Sequence, residues 1–261
     1  MKKRSILLNG MALLGAVVAV LFIVAEPREH LPGDPKEIHI PQEHWSFQGF
    51  FGKFDDAQLK RGFQVYHEVC SACHSMNLMS YRNLTQIGFT ADEVKDIAAA
   101  VQVTDGPNEA GEMFERPGKA SDAFKSPFPN DEAARAANNG ALPPDFSLIA
   151  RSRAGKGFGG YEGADYIHAI LTGYTEPPAD FKLQDGMNYN KYFHGHQIAM
   201  PQPLSGDELE NQSKDVAAFL TWAGEPNLES RHLTGLKAML FLVVFTLLFY
   251  AAKRKIWSRI H

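Results

Sequence analysis

The sequence predicts a mainly α-helical domain with long loops, carried by one membrane-spanning helix near its C-terminal end. Three observations predict it. Apolar residues recur at helical spacing in several separate stretches, such as Leu59, Phe63, Tyr66 and Cys70, and Val216, Phe219, Leu220 and Ala223. The segments between these stretches are long and rich in Pro and Gly. Residues 233–252 form a 20-residue run interrupted by a single charge, Lys237, and about 20 apolar residues span a bilayer.

Taken in order, Lys2-Lys3-Arg4 precedes an apolar run from Ile6 to Ala25. A basic head followed by an apolar stretch reads as a secretory signal peptide, or as an N-terminal anchor left uncleaved. In either case the domain after it is exported. Residues 26–54 hold Pro, Gly, His and aromatics without a period and read as an irregular arm. Asp55 or Asp56 caps a helix running to about Cys70, whose apolar face ends on that cysteine.

Cys70-Ser71-Ala72-Cys73-His74 comes next. On a helix, positions three and four apart share a face, so both thiols and the imidazole can meet one planar group. Cys-x-x-Cys-His is the attachment signature of a c-type haem, bound by two thioethers with the His on the iron. A thioredoxin-like dithiol wants a strand–loop–helix setting, and nothing nearby reads as a strand. Half of a zinc site would need distant ligands, since the 261-residue chain has only two cysteines. With both cysteines in the motif, no disulfide is expected.

After the motif, residues 76–85 read as loop and short helix. Thr90-Ala-Asp-Glu93 is a capping box opening a helix with Val94, Ile97, Ala98 and Val101 inward. Residues 104–130 read as loop. Asn130 caps a short helix through Asn138, closed near Gly140, and Ala141-Leu-Pro-Pro-Asp145 is a stiff turn because two prolines fix φ. A helix near Phe146–Arg153 comes after it. Gly155–Gly163 holds five glycines but lacks the preceding strand and Lys-Ser/Thr ending of a phosphate loop. Gly163–Leu171 reads as a helix stopped by Gly173. Gly173–Leu204 has four prolines and no period, and a segment of that length in a compact domain is usually functional. Ser205-Gly-Asp-Glu208 reads as a second capping box, opening a helix to about Ala223. Lys253-Arg254-Lys255 after the apolar run marks a cytoplasmic tail, residues 253–261.

A haem iron held by His74 has a sixth position. Filled, it makes an electron carrier, and a Met ligand raises the potential; open, it permits gas binding or peroxide chemistry. Met76 and Met79 are too close to the attachment site to reach the other face. Met113 and Met187 lie in loops. Met200 is followed by Pro201 and Pro203, which stiffen its backbone. His194 and His196 are rivals. Residues 26–235 hold all 30 acids and 18 of the 26 Lys and Arg, a net charge of −12. Such a body repels nucleic acid and can steer a basic partner.

Several motifs in order resemble the cytochrome c1 family, the haem subunit of the ubiquinol–cytochrome c reductase (cytochrome bc1) complex. They are Arg61-Gly-Phe-Gln-Val-Tyr66 before Cys70–Met76, Asp105-Gly-Pro-Asn-Glu109, Gly111-Glu-Met-Phe114, Arg116-Pro-Gly118, residues 132–145, Leu171-Thr-Gly-Tyr174 with Glu176-Pro-Pro178, and Ile198-Ala-Met200. The resemblance covers about Trp45 to Trp257. It implies a mainly α, cytochrome c-like haem domain with long loops plus one C-terminal transmembrane helix. It implies one covalent haem c on Cys70 and Cys73 with His74 and Met200 as axial ligands, Arg153 near a haem propionate, Tyr166 close to the haem, and Asn138, Ala141 and Pro143 lining the pocket. The Gly155–Gly163 loop departs from the mitochondrial pattern by a short insertion.

The same resemblance implies an electron carrier with no catalytic residues of its own. It would sit in the bacterial inner membrane, bound to membrane lipid by residues 233–252, with residues 26–232 in the periplasm. Its partners would be cytochrome b and the Rieske iron–sulfur protein in a dimeric complex, and a soluble cytochrome c as acceptor.

Overall fold

In the computed structural model, residues 38–154 and 162–259 are described. The expected signal peptide or anchor, residues 1–25, and most of the glycine loop, residues 155–161, lie outside the described residues. The first helix, α1 (Asp56–Glu68), begins where Asp55 Oδ1 accepts the Ala57 N–H at 3.0 Å, with Asp56 favourably placed in the positive first turn. Its inward stripe is Leu59, Gly62, Phe63 and Tyr66. The helix stops at Glu68, and the cysteine motif continues as a separate tighter turn, Cys70–Ala72. The motif is therefore not a stretch of α-helix. The Cys73 N–H donates to the Cys70 carbonyl at 3.1 Å, so the two cysteines still stand one tight turn apart.

A seven-residue 3₁₀ helix (Tyr81–Ile87) leads to α2 (Ala91–Ala99), opened by the expected capping box: Thr90 N–H donates to Glu93 Oε2 at 2.6 Å and Glu93 N–H to Thr90 Oγ1 at 3.2 Å. The region expected to be loop from 104 to 130 contains an antiparallel pair instead. Strand β1 (Gln102–Asp105) pairs with β2 (Phe114–Pro117) in the register Gln102↔Pro117 to Asp105↔Phe114. Four-residue strands with no buried position carry no apolar alternation to betray them. Arg116 secures the pair by bonding to Asp105 and, at 2.6 and 3.1 Å, to both oxygens of Asp122.

The helices α3 (Asp131–Ala137, capped by Asn130), α4 (Ile149–Arg153) and α5 (Glu162–Thr172) lie within a few residues of their expected positions. The long loop after Gly173 is cinched by two-residue strands β3 (Asn188–Tyr189) and β4 (Gln197–Ile198). Helix α6 (Leu209–Gly224) does not use Ser205 as its cap: Glu208 stands at the cap position without a side-chain bond. Gly206 has φ +85°, so the chain cannot enter the helix directly after Ser205.

The core forms where α1 crosses α6. A Cβ on Gly62 would come within 2.0 Å of the Asp215 carbonyl oxygen, so only glycine permits this approach. Arg61 ties the crossing to the Asp215 carboxylate with two bonds of 2.7 and 3.0 Å. Phe63, Tyr66, Phe124 and Phe219 pack there with ring centroids 5.7–6.0 Å apart. Gly163 lets α5 close on α4 in the same way, against the Ala150 carbonyl.

The last helix, α7 (Leu228–Trp257), has 30 residues, about 45 Å at 1.5 Å per residue. It starts five residues before the apolar run at Leu233 and ends five after Ala252, a longer element than the run alone. It is long and apolar enough to cross a membrane, and none of its apolar window is buried among the described residues.

Candidate functional site

A cavity of about 640 Å³, in the size range of small-molecule and cofactor sites, opens beside the Cys70–Ala72 turn. Its wall comes from four parts of the fold. Cys70, Cys73 and His74 end the α1 side. Asn138, Ala141, Pro143, Pro144 and Phe146 form the stiff segment after α3. Arg153, Tyr166, Ile167 and Ile170 come from α4 and α5, with Leu220 from α6. Ala199, Met200 and Pro201 close it from the long loop. All nine residues singled out from the sequence thus line one cavity.

The imidazole of His74 is held on its back side. Its Nδ1 lies 2.9 Å from the Pro144 carbonyl oxygen, and its ring stacks on Phe146 at 3.9 Å and 15°. A carbonyl can only accept, so Nδ1 carries the proton and Nε2 keeps its lone pair for a metal. Burial lowers the His74 pKa, outweighing the Pro144 carbonyl, which raises it. The neutral, ligating form is favoured.

A second clamp fixes the segment on either side. The Asp145 carboxylate accepts from Ser75 Oγ (2.9 Å), Asn77 N–H (2.9 Å) and Ser147 N–H (2.8 Å). Burial raises its pKa, but these bonds from Ser147, Asn77 and Ser75 together carry it below the ordinary value. Phe146 N–H donates to the Ser75 carbonyl at 2.8 Å.

Met200 is the methionine of the cavity wall. Its carbonyl accepts from Tyr174 Oη at 3.0 Å and from Asn188 Nδ2 at 3.3 Å. Neither Met113 nor Met187 lines the cavity, and Met113 is exposed. His194 is exposed, and His196 stacks on Tyr189 with its Nδ1 3.3 Å from the Asn190 carbonyl. Met76 and Met79 are core residues. Arg153 lies beside the Tyr166 phenol: burial raises that phenol's pKa, while the Arg153 charge and hydrogen bond lower it.

The donor set fits a haem. There are two thiols in the lining, a neutral imidazole with a free Nε2, a thioether in the same lining, apolar neighbours and one cation for a carboxylate. It does not fit a redox dithiol. Burial, with Cys73 next to it, pushes the Cys70 thiol up to about 12, whereas a reactive thiol needs a lowered value.

Residues 45–260 match the model of the Cytochrome C1 family. The chain belongs to the cytochrome c1 family. It is 48% identical over 240 residues to "Cytochrome c1, heme protein, mitochondrial" of Schizosaccharomyces pombe, covering 87% of this chain and 76% of that protein. It is 41% identical to "Cytochrome c1" of Rhodospirillum rubrum, covering 84% of this chain and 88% of the relative. Against "Cytochrome b/c1" of Bradyrhizobium diazoefficiens the identity is 43% over 85% of this chain, which spans only 36% of that longer protein. As a member of the cytochrome c1 family, the chain is a haem electron-transfer subunit of the cytochrome bc1 complex.

Four residues of this site have roles that the sequence does not reveal: Pro144, Phe146, Tyr174 and Asn188. Pro144 and Tyr174 lie inside family motifs, but their parts are played by a backbone carbonyl and by a hydrogen bond to one. Such contacts leave no periodic trace.

Proposed function

We propose that this chain relays single electrons from the Rieske iron–sulfur protein to a soluble cytochrome c, as the c1 subunit beside cytochrome b in a dimeric complex of a bacterial inner membrane. Its domain before α7 faces the periplasm. The observation that carries the reading is the meeting of Cys70, Cys73 and His74 with Met200 in one apolar cavity.

When bound, a haem supplies a one-electron iron couple. Everything else is work for the chain. Cys70 and Cys73 fix the group covalently. His74 offers Nε2 while its Nδ1–H donates to Pro144, which orients the ring and raises its basicity. Met200 offers its sulfur, held in place by the bonds of Tyr174 and Asn188 to its carbonyl. A thioether ligand favours the reduced state and so a high potential. Arg153, in the cavity lining, would neutralise a propionate. Ile167, Ile170 and Leu220 keep water from the site, which further tunes the potential. No proton transfer or nucleophile is required, so the domain carries charge and needs partners for a reaction.

The net charge of −12 over residues 26–235 supports a basic acceptor drawn in by long-range attraction. Its test is the rate at which the purified complex reduces a basic cytochrome c as salt is raised. From 0.01 M to 0.1 M the screening length falls from about 30 to about 10 Å, and the rate falls with it. A rate indifferent to ionic strength contradicts the steering. Loss of cytochrome b on mild detergent extraction contradicts the membership in a complex.

A further inference from the structure

We propose that the turn from Trp45 to Phe54 is a second membrane contact of this chain, with Phe50 and Phe51 seated in the interfacial layer of the bilayer beside the first apolar turn of α7. The proposal rests on reading α7 as the membrane span.

The turn is built, not loose. Gln48 N–H donates to the Trp45 carbonyl (3.1 Å), Gly52 N–H to Gly49 (3.3 Å) and Lys53 N–H to Ser46 (3.0 Å). Gly49 has φ +77°, and a Cβ on Gly52 would fall 2.3 Å from the Phe47 carbonyl. Its root is in the core. Trp45 and Phe47 are buried, and the Trp45 indole N–H donates to Asp165 Oδ1 at 2.7 Å. Its far end is tied to α7, where Phe54 N–H donates to Glu229 Oε1 at 3.0 Å.

This frame holds two phenylalanines outward. Phe51 is 78% exposed and Phe50 42%, their rings edge to face at 5.1 Å. Phe50 stacks flat on His232, at 6.1 Å and 5°. His232 directly precedes Leu233, where the apolar run of α7 begins. Under that stack His232 Nδ1 is buried without a hydrogen-bond partner, the sole such side-chain atom among the described residues. The tip of the turn therefore stands level with the mouth of the span.

The headgroup layer on each side of a bilayer is about 5–7 Å deep, roughly four residues of helix at 1.5 Å each. A pair of rings level with residue 232 falls inside it. Glu229 and Arg231, in the same first turn of α7, meet the polar headgroups of that layer. Exposed aromatics continuous with an apolar helix suit a lipid interface, where amphipathic elements bury such rings. The other possible cover is an apolar surface of a neighbouring subunit, and the experiment separates the two.

The probe is a photoreactive benzoylphenylalanine in place of Phe51, in the purified complex reconstituted into phospholipid bilayers. Position 51 is exposed, so the substitution does not disturb the core. The same probe at Leu240 and at Leu242, on opposite faces of α7, reports on the span. Irradiation is expected to give a phospholipid adduct at 51 as well as lipid or polypeptide adducts at 240 and 242. A polypeptide adduct at 51, or none there while 240 and 242 react, overturns the proposal and leaves the span intact. No adduct at any of the three positions overturns the span reading itself.

Discussion

His74 Nδ1 lies 2.9 Å from the carbonyl oxygen of Pro144, 70 residues further along the chain. The bond is possible because Asp145 staples the two segments together through Ser75, Asn77 and Ser147. Replacing Asp145 with Ala removes an acceptor from two backbone N–H groups and a hydroxyl. The residue is exposed, so water takes over part of this, and the cost is about 1–2 kcal/mol. Asp145→Asn keeps an acceptor and costs less. Urea unfolding of the two variants checks the order, with Ala below Asn below the parent.

On the proposed ligation, Met200→Leu takes away a sulfur that would favour the reduced iron. The midpoint potential should fall by about 0.1 V or more, within the roughly 0.8 V span that axial ligation controls. The reduced variant should bind carbon monoxide where the parent does not. Tyr174→Phe leaves the sulfur but removes one of two bonds to the Met200 carbonyl. It should cost about 1 kcal/mol, with a smaller shift of potential than Met200→Leu. Redox titration of both variants compares them directly.

Gly62→Ala drives a methyl group into the Asp215 carbonyl, 2.0 Å from where the Cβ would stand. Overpacking of this kind costs roughly 1–3 kcal/mol. Because Gly62 lies on the helix that delivers Cys70, haem incorporation should fall as well. Thermal unfolding and the haem-to-protein absorbance ratio measure the two effects.

The Arg116 guanidinium beside Asp122, with the Lys119 N–H, lowers the Asp122 carboxyl from 3.8 to about 2. A carboxylate depressed in the folded state adds stability that is complete above its unfolded value. That stability is lost as pH falls from about 4 through about 2. Asp122→Asn should therefore flatten the acid limb of stability against pH in that window, and leave the slope near neutrality unchanged. Acid titration followed by far-UV circular dichroism reads it.

Much of this was legible in the residues because the relevant signals are local. Asp55, Thr90 and Asn130 cap their helices as their spacing requires, and Cys70–His74 carries a haem-attachment signature in five positions. What stayed hidden depends on partners far away. The β1–β2 pair is held by Arg116 reaching Asp105 and Asp122, not by an apolar pattern. Ser205 carries the right sequence for a cap, but the left-handed Gly206 denies it. The break at Glu68, before the 3₁₀ turn of the motif, lies within a periodic pattern that runs through to Cys70. Among the candidate ligands, periodicity could not rank Met200 over His194 and His196. In the fold Met200 lines the cavity and the two histidines do not.

The most direct test is the optical spectrum of the purified, fully reduced chain, recorded with and without carbon monoxide. The expected result is the sharp α band of a low-spin, thioether-linked haem, unmoved by the gas. A band that shifts under carbon monoxide contradicts the grip of Met200, and a chain without thioether-linked haem contradicts electron relay by this domain altogether.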